Sequence, residues 1–230
     1  MENIRAVLWD VDGTLLDFQA AERAAIVSLF SEFGLGPCSE AMVRRYSAIN
    51  DGFWKRLERG EITKPQVLVG RFEVFFAECG LDVSLAPAFN ARYQLALGDT
   101  IVFRDDALNL VRELRGRVKQ YVVSNGTVAA QTKKLTLSGL GALMDGIFLS
   151  EEVGAEKPSS HFFDSVFAAI APVTPAEAMI VGDSLTSDIL GGRRAGLVTC
   201  WYNPHGASAP DRSLIDCEIT DLRDVPALLG

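Results

Sequence analysis

Five short apolar, β-rich runs, at residues 6–9, 120–123, 146–149, 178–181 and 198–202, constrain this chain more than any other feature. Helical patterns at 127–138, 160–170 and 187–195 separate the later four, and a helix-like stretch at 105–115 feeds the second run. Strands that alternate with helices are joined by long right-handed crossovers, which build a parallel sheet with helices on both faces. The expected fold class is therefore α/β, with a Rossmann-like parallel sheet as its core.

That rhythm stops between the first and second runs. From residue 17 to 100 there is no convincing strand, only helix-period stretches at 20–33, 39–49, 52–59, 63–79 and 85–97. Ser39 and Thr63 suit helix N-caps, Pro65 suits a first turn, and Gly34, Gly60, Gly80 and Gly98 suit helix ends. An all-helical block inside an α/β fold reads as an inserted domain. The expected division is a core of residues 1–16 and 101–230 and an inserted helical unit of residues 17–100. The Pro-, Gly- and Ser-containing stretch 203–213 is expected to be a mobile surface loop.

Composition narrows the possible functions. The 230 residues, 48% hydrophobic and 23% charged, are those of a soluble globular chain of ordinary α/β size. The net charge of −8 opposes a broad surface for a nucleic-acid polymer or an anionic membrane. No apolar run approaches the roughly 20 residues of a membrane span, and the start Met1-Glu2-Asn3-Ile4-Arg5 lacks the features of a signal peptide. The four cysteines are dispersed without a Cys-x-x-Cys pair, which favours a reduced, cytoplasmic setting. With only His161 and His205 in the chain, a Ser-His-Asp triad or a histidine-rich metal site has little to draw on.

Four groups of polar residues follow predicted strands. Asp10 and Asp12 stand two apart, so on a strand they project to one face, with Gly13 and Thr14 turning the chain just beyond. Ser124-Asn125-Gly126-Thr127 ends the second strand and opens a helix. Lys157-Pro158 follows the third, and Gly182-Asp183 with Asp188 follows the fourth. In a parallel sheet these strand ends share one edge, where ligands of open α/β sheets bind. Two like charges at Asp10 and Asp12 cost stability unless a cation or proton compensates. Several carboxylates without histidine suit a hard cation such as Mg²⁺, and Ser124 with the amides of a helix start suits an anion. An aspartate held ionised by a metal and a lysine can act as a nucleophile, and a second carboxyl can move the proton. Taken singly, each group has an ordinary alternative: a helix cap at Ser124-Asn125-Gly126, a solvated Lys157, a turn residue at Asp183 and a helix-start charge at Asp188.

Asp10-Val11-Asp12-Gly13-Thr14-Leu15-Leu16, Ser124-Asn125-Gly126, Lys157-Pro158 and Gly182-Asp183-Ser184-x-x-x-Asp188, in this order, resemble the four motifs of the haloacid dehalogenase superfamily. The helical insertion after the first motif is similar to the small α-helical cap of that superfamily. Asn50-Asp51-Gly52-Phe53-Trp54, Gly60-Glu61-Ile62-Thr63 and Gly70-Arg71-Phe72-Glu73 resemble the bacterial pyrimidine 5′-nucleotidase branch. So do Ser150-Glu151-Glu152-Val153-Gly154 and Ile189-Leu190-Gly191-Gly192 with Ala195-Gly196-Leu197.

The resemblance implies a Mg²⁺-dependent phosphatase for nucleoside 5′-monophosphates, working through an aspartyl-phosphate under a mobile cap. It implies Asp10 as nucleophile and Asp12 as general acid/base, with Asp12 also offering its backbone carbonyl to Mg²⁺. Asp183 is implied as a further metal ligand and Asp188 as a ligand through water or a partner of one. Ser124, Asn125, Gly126 and Thr14 are implied around the phosphoryl group, and Lys157 beside Asp10. In the cap, Phe18, Trp54, Arg71 and Phe72 are candidates to approach the nucleoside; the alternative is that Trp54 and Phe72 fill the cap's own core. The expected partner is a small phosphomonoester, acted on by a monomer or small homo-oligomer. The alternatives are another small phosphomonoester such as phosphoglycolate or a sugar phosphate, a β-phosphoglucomutase-like transferase, a dehalogenase, and a non-catalytic binding protein of this fold. A dehalogenase would need neither a metal nor Asp12, and a binding protein would have no reason to keep four charged residues together.

Overall fold

In the computed structural model, which describes residues 3–229, a six-stranded sheet organises the core. Its strands are β1 (Ala6–Trp9), β2 (Lys119–Ser124), β3 (Gly146–Leu149), β4 (Ala178–Gly182), β5 (Val198–Tyr202) and β6 (Cys217–Ile219). The helices are α1 (Phe18–Glu32), α2 (Glu40–Glu58), α3 (Lys64–Cys79), α4 (Ala86–Ala96), α5 (Ala107–Leu114), α6 (Val128–Ser138), α7 (Ser150–Val153), α8 (Ser160–Ala169), α9 (Leu190–Ala195) and α10 (Val225–Leu228). The sheet order is β3-β2-β1-β4-β5-β6, and every neighbouring pair is parallel. β1 is thus central, and β2 and β4 flank it, so three of the strand ends that carry polar motifs lie side by side.

The central strands are apolar on both faces because helices cover both. On one face Ala6, Leu8, Tyr121, Val123, Ala178 and Ile180 pack with Phe162, Phe163 and Val166 of α8. Val7 and Trp9 alternate to the other face and are equally buried, and the Trp9 indole donates to Gln120 Oε1 at 3.1 Å. The α/β reading and the five expected strands match this sheet within a residue. β6 was not anticipated: three residues with Glu218 in the middle carry no period, and the strand exists through pairing with β5.

The chain forms two compact units, residues 1–17 with 102–230, and residues 18–101. The two crossings leave the core from a short ladder: Leu16 bridges Phe103 antiparallel, and the Asp17 amide donates to the Val102 carbonyl at 2.8 Å.

The second unit holds α1–α4 around an aromatic core. Phe30, Tyr46, Phe72, Phe75, Phe76, Phe89 and Tyr93 are all buried. The rings of Tyr46 and Phe72 stack at 5.0 Å, and Phe76 meets Phe89 edge-on at 5.0 Å. Each such buried ring contributes on the order of 2 kcal/mol through apolar burial. The separate helices expected at 39–49 and 52–59 are one helix, α2, capped by Ser39. Gly52 lowers helix propensity by only about 1 kcal/mol, and the buried stripe Val43, Tyr46, Ile49, Asn50 and Leu57 carries the helix through it. Among the described residues no helix is long and apolar enough to cross a membrane.

Candidate active site

β1 ends at Trp9, and the Asp10 amide is still tied to the neighbouring strand, donating to the Val181 carbonyl at 3.0 Å. The chain then folds back on itself: the Leu16 amide donates to the Val11 carbonyl and the Gly13 amide to the Leu16 carbonyl, both at 2.9 Å. Gly13 takes φ +96°, and a Cβ there would sit 2.4 Å from Asp183 Oδ2. Only glycine combines that backbone angle with that closeness.

Lys157 is the hub. Its buried ammonium donates to Asp10 Oδ1 at 2.9 Å, Asp188 Oδ1 at 2.6 Å and the Val123 carbonyl at 2.7 Å, which uses all three of its N–H groups. Burial works against the charge, but the carboxylates of Asp10 and Asp188 outweigh it and hold Lys157 above the ordinary lysine range. Asp188 is also buried, and its other oxygen accepts from the Ser184 amide at 3.2 Å. Burial pushes Asp10 from 3.8 up to about 7; Lys157 pulls it down and the neighbouring charge of Asp188 pushes it up again. Enclosure of its carboxylate and the charges of Asp10 and Asp188 push Asp183 well above the usual carboxylate range.

One oxygen from each of Asp10, Asp183 and Asp188 lies within 4.8 Å of the others. An all-oxygen, anionic cluster of this size fits a hard divalent cation such as Mg²⁺. A cation there would relieve the repulsion that raises Asp10 and Asp183.

Thr14, Ser124, Asn125 and Asp12 stand at the same edge of the sheet, each with its own partners. The Thr14 hydroxyl, buried, donates to Asp10 Oδ2 at 3.1 Å and accepts from the Asp183 amide at 3.1 Å. It therefore ties the Asp10 carboxylate to the backbone at Asp183. Ser124 Oγ accepts from the Gly126 amide at 3.1 Å at the end of β2. Asn125 was expected on the phosphoryl group, yet its side chain clamps the Lys157 loop. Its Nδ2 donates to the Lys157 carbonyl and its Oδ1 accepts from the Lys157 amide, both at 2.8 Å. Asp12 accepts from Gln131 Nε2 at 2.6 Å and from Lys134 Nζ. Gln131 and Lys134 were not anticipated as site residues, although they lie in the buried stripe of α6 with Ala130, Leu135 and Ser138. The Trp201 indole, also unanticipated, holds the Asp183 carbonyl at 3.0 Å.

In the helical unit, Arg71 is buried and bound within that unit. It donates to Asn50 Oδ1 at 2.6 Å and Asn90 Oδ1 at 3.2 Å, and its guanidinium lies 5.1 Å from the Phe72 and Tyr93 ring centres. Asn50 in turn donates to buried Glu22 at 2.9 Å. The candidate ligand Arg71 is thus part of a buried polar network, and Phe72 is core. Phe18 opens α1 and Trp54 lies half-buried on α2.

Residues 4–196 match the haloacid dehalogenase-like hydrolase family. The HAD-hydrolase YfnB of Bacillus subtilis is 38% identical over 204 residues, 89% of this chain and 86% of that one. The pyrimidine 5′-nucleotidase PynA of Streptococcus pneumoniae is 36% identical over 86% of this chain and 84% of its own length. The pyrimidine 5′-nucleotidase YjjG of Escherichia coli is 29% identical over 97% and 96%. A crystal structure of YfnB bound to magnesium superimposes with a TM-score of 0.93 over the full length of both chains at 35% identity. With four motifs converging on one sheet edge and the family match spanning most of its length, this chain belongs to the haloacid dehalogenase-like hydrolases.

Proposed function

We propose that this hydrolase is a Mg²⁺-dependent phosphatase for nucleoside 5′-monophosphates, pyrimidine nucleotides first among them. The observation that carries the phosphatase reading is the cluster of Asp10, Lys157, Asp183 and Asp188 at the ends of adjacent strands. The nucleotide reading is supported by PynA and YjjG, the relatives named pyrimidine 5′-nucleotidases.

Asp10, Asp183 and, directly or through water, Asp188 would hold Mg²⁺, with the Asp12 backbone carbonyl as a further donor. When bound, the ion supplies positive charge that offsets the phosphate and the clustered carboxylates. Lys157 aims Asp10 by one oxygen and Thr14 by the other. Asp10 attacks phosphorus, the bond from phosphorus to the nucleoside oxygen breaks, and Asp12 gives that oxygen a proton. Asp12 then takes a proton from water, the water oxygen bonds to the phosphorus of the aspartyl-phosphate, and inorganic phosphate leaves with Asp10 restored. Ser124 and the amides around Asn125 and Gly126, at the start of α6, suit the phosphoryl oxygens.

The test is phosphate release, with Mg²⁺ and with chelator, from uridine 5′-monophosphate, phosphoglycolate, sugar phosphates and p-nitrophenyl phosphate. The proposal expects metal-dependent release with kcat/KM highest for the nucleotide. Equal turnover of nucleotide and phosphoglycolate removes the nucleotidase reading and leaves the phosphatase; undiminished release with the metal chelated removes the metal role.

A further inference from the structure

We propose that Gln131 and Lys134 are positioning residues for proton transfer by Asp12, a clamp carried on α6; the inference rests on the reading of Asp12 as the general acid/base. Both oxygens of Asp12 are held from this one helix, Oδ2 by Gln131 Nε2 at 2.6 Å and Oδ1 by Lys134 Nζ. The two donors are three residues apart, hence on one face of the helix. Gln131 is fully buried and Lys134 is 2% exposed, while the Asp12 side chain keeps 23% of its surface open. The exposed partner is therefore the one that can meet a substrate.

Energetics point away from a purely structural role. Burying a lysine and a glutamine costs stability unless both are well paired. Among the described residues Gln131 Oε1 has no hydrogen-bond partner, so this side chain is a poor way to fill the core. What its amide achieves is a fixed Asp12. The turn before α6 is shaped to allow this: a Cβ on Gly126 would lie 2.2 Å from Gln131 Nε2. The Ser124-Asn125-Gly126 turn thus serves Asp12 as well as the phosphoryl side of the site.

A carboxyl group that must donate a proton to the leaving oxygen and then, as carboxylate, remove one from water gains from being held in one orientation. The two half-reactions give the test. p-Nitrophenolate leaves without needing a proton, whereas hydrolysis of the aspartyl-phosphate still needs Asp12. Rapid-mixing kinetics on p-nitrophenyl phosphate with Mg²⁺ would be run on the wild type, Gln131→Met, Lys134→Met and Asp12→Asn, alongside steady-state kinetics on uridine 5′-monophosphate and thermal unfolding. For Gln131→Met and Lys134→Met the expectation is a p-nitrophenolate burst within about threefold of the wild-type rate and steady-state turnover at least about tenfold lower, part of the 10²–10⁴ that acid–base catalysis contributes. Phosphoenzyme accumulates, KM for the nucleotide changes less than kcat, and Gln131→Met unfolds at the wild-type temperature. The inference is overturned if both variants slow burst and steady state in equal proportion, or leave both unchanged, while Asp12→Asn shows the burst. If Asp12→Asn itself turns over like the wild type, the acid/base reading fails instead. Should Lys134→Met not fold, Gln131→Met alone decides.

Discussion

Asn125 and Lys157 hold each other by a reciprocal pair of 2.8 Å hydrogen bonds, side-chain amide to backbone, across 32 positions of sequence. Through that pair the end of β2 sets where the Lys157 ammonium stands, and Lys157 in turn sets Asp10. We expect Asn125→Ala to destabilise the protein by about 2 kcal/mol, since it leaves two backbone groups of Lys157 without partners. It should lower kcat more than it raises KM. Urea denaturation with steady-state kinetics checks this; a raised KM with unchanged stability would make Asn125 a phosphate ligand only.

Lys157→Met should abolish turnover and cost roughly 3–5 kcal/mol, because removing one partner leaves a buried charge uncompensated. Adding Asp188→Asn should recover much of the stability and none of the activity. Denaturation of the single and double variants reads the first effect, and phosphate release reads the second.

Metal binding should depend on pH in a defined direction. Asp10 sits at about 7 in the folded chain against an ordinary 3.8, so the folded state holds more protons across that window. Its contribution to metal-free stability is complete below about 4 and is lost as pH rises through about 7. A cation competes with those protons, so the rise in unfolding temperature produced by Mg²⁺ should be larger at pH 8 than at pH 6. Thermal unfolding with Mg²⁺ or chelator at both pH values measures it; an equal or larger rise at pH 6 would contradict the assignment of Asp10 as a ligand.

In the helical unit, Arg71→Met should destabilise by roughly 3 kcal/mol, since Asn50 and Asn90 lose a charged donor and buried Glu22 loses a nearby cation. Chemical denaturation tests this. A variant of wild-type stability with a raised KM would return Arg71 to the substrate.

Much of this was legible in the sequence because strand and motif coincide: Asp10, Ser124 and Asp183 stand at or just past the ends of apolar runs, and parallel strands bring such ends together. What was hidden depended on side chains meeting across the fold. Asn125 reads as a phosphate or cap residue until Lys157 is beside it. Gln131 and Lys134 carried a faint signal, since they share the apolar stripe of α6 with Ala130, Leu135 and Ser138, where long polar residues need a reason. For Arg71 the sequence shows a cation among aromatics, and its partners Asn50 and Asn90, 21 and 19 positions away, emerge only in the fold. β6 and the joining of α2 through Gly52 were set by packing, which local pattern does not encode.

The proposed reaction requires Asp10 to take the phosphoryl group. Acid quenching of the Mg²⁺-loaded enzyme during turnover of uridine 5′-monophosphate, followed by peptide mass mapping, tests it most directly. One added phosphoryl group is expected, on Asp10, sensitive to hydroxylamine and lost in Asp10→Asn along with turnover. Phosphate release at the wild-type rate by Asp10→Asn, or a phosphoryl group on another residue, would contradict it.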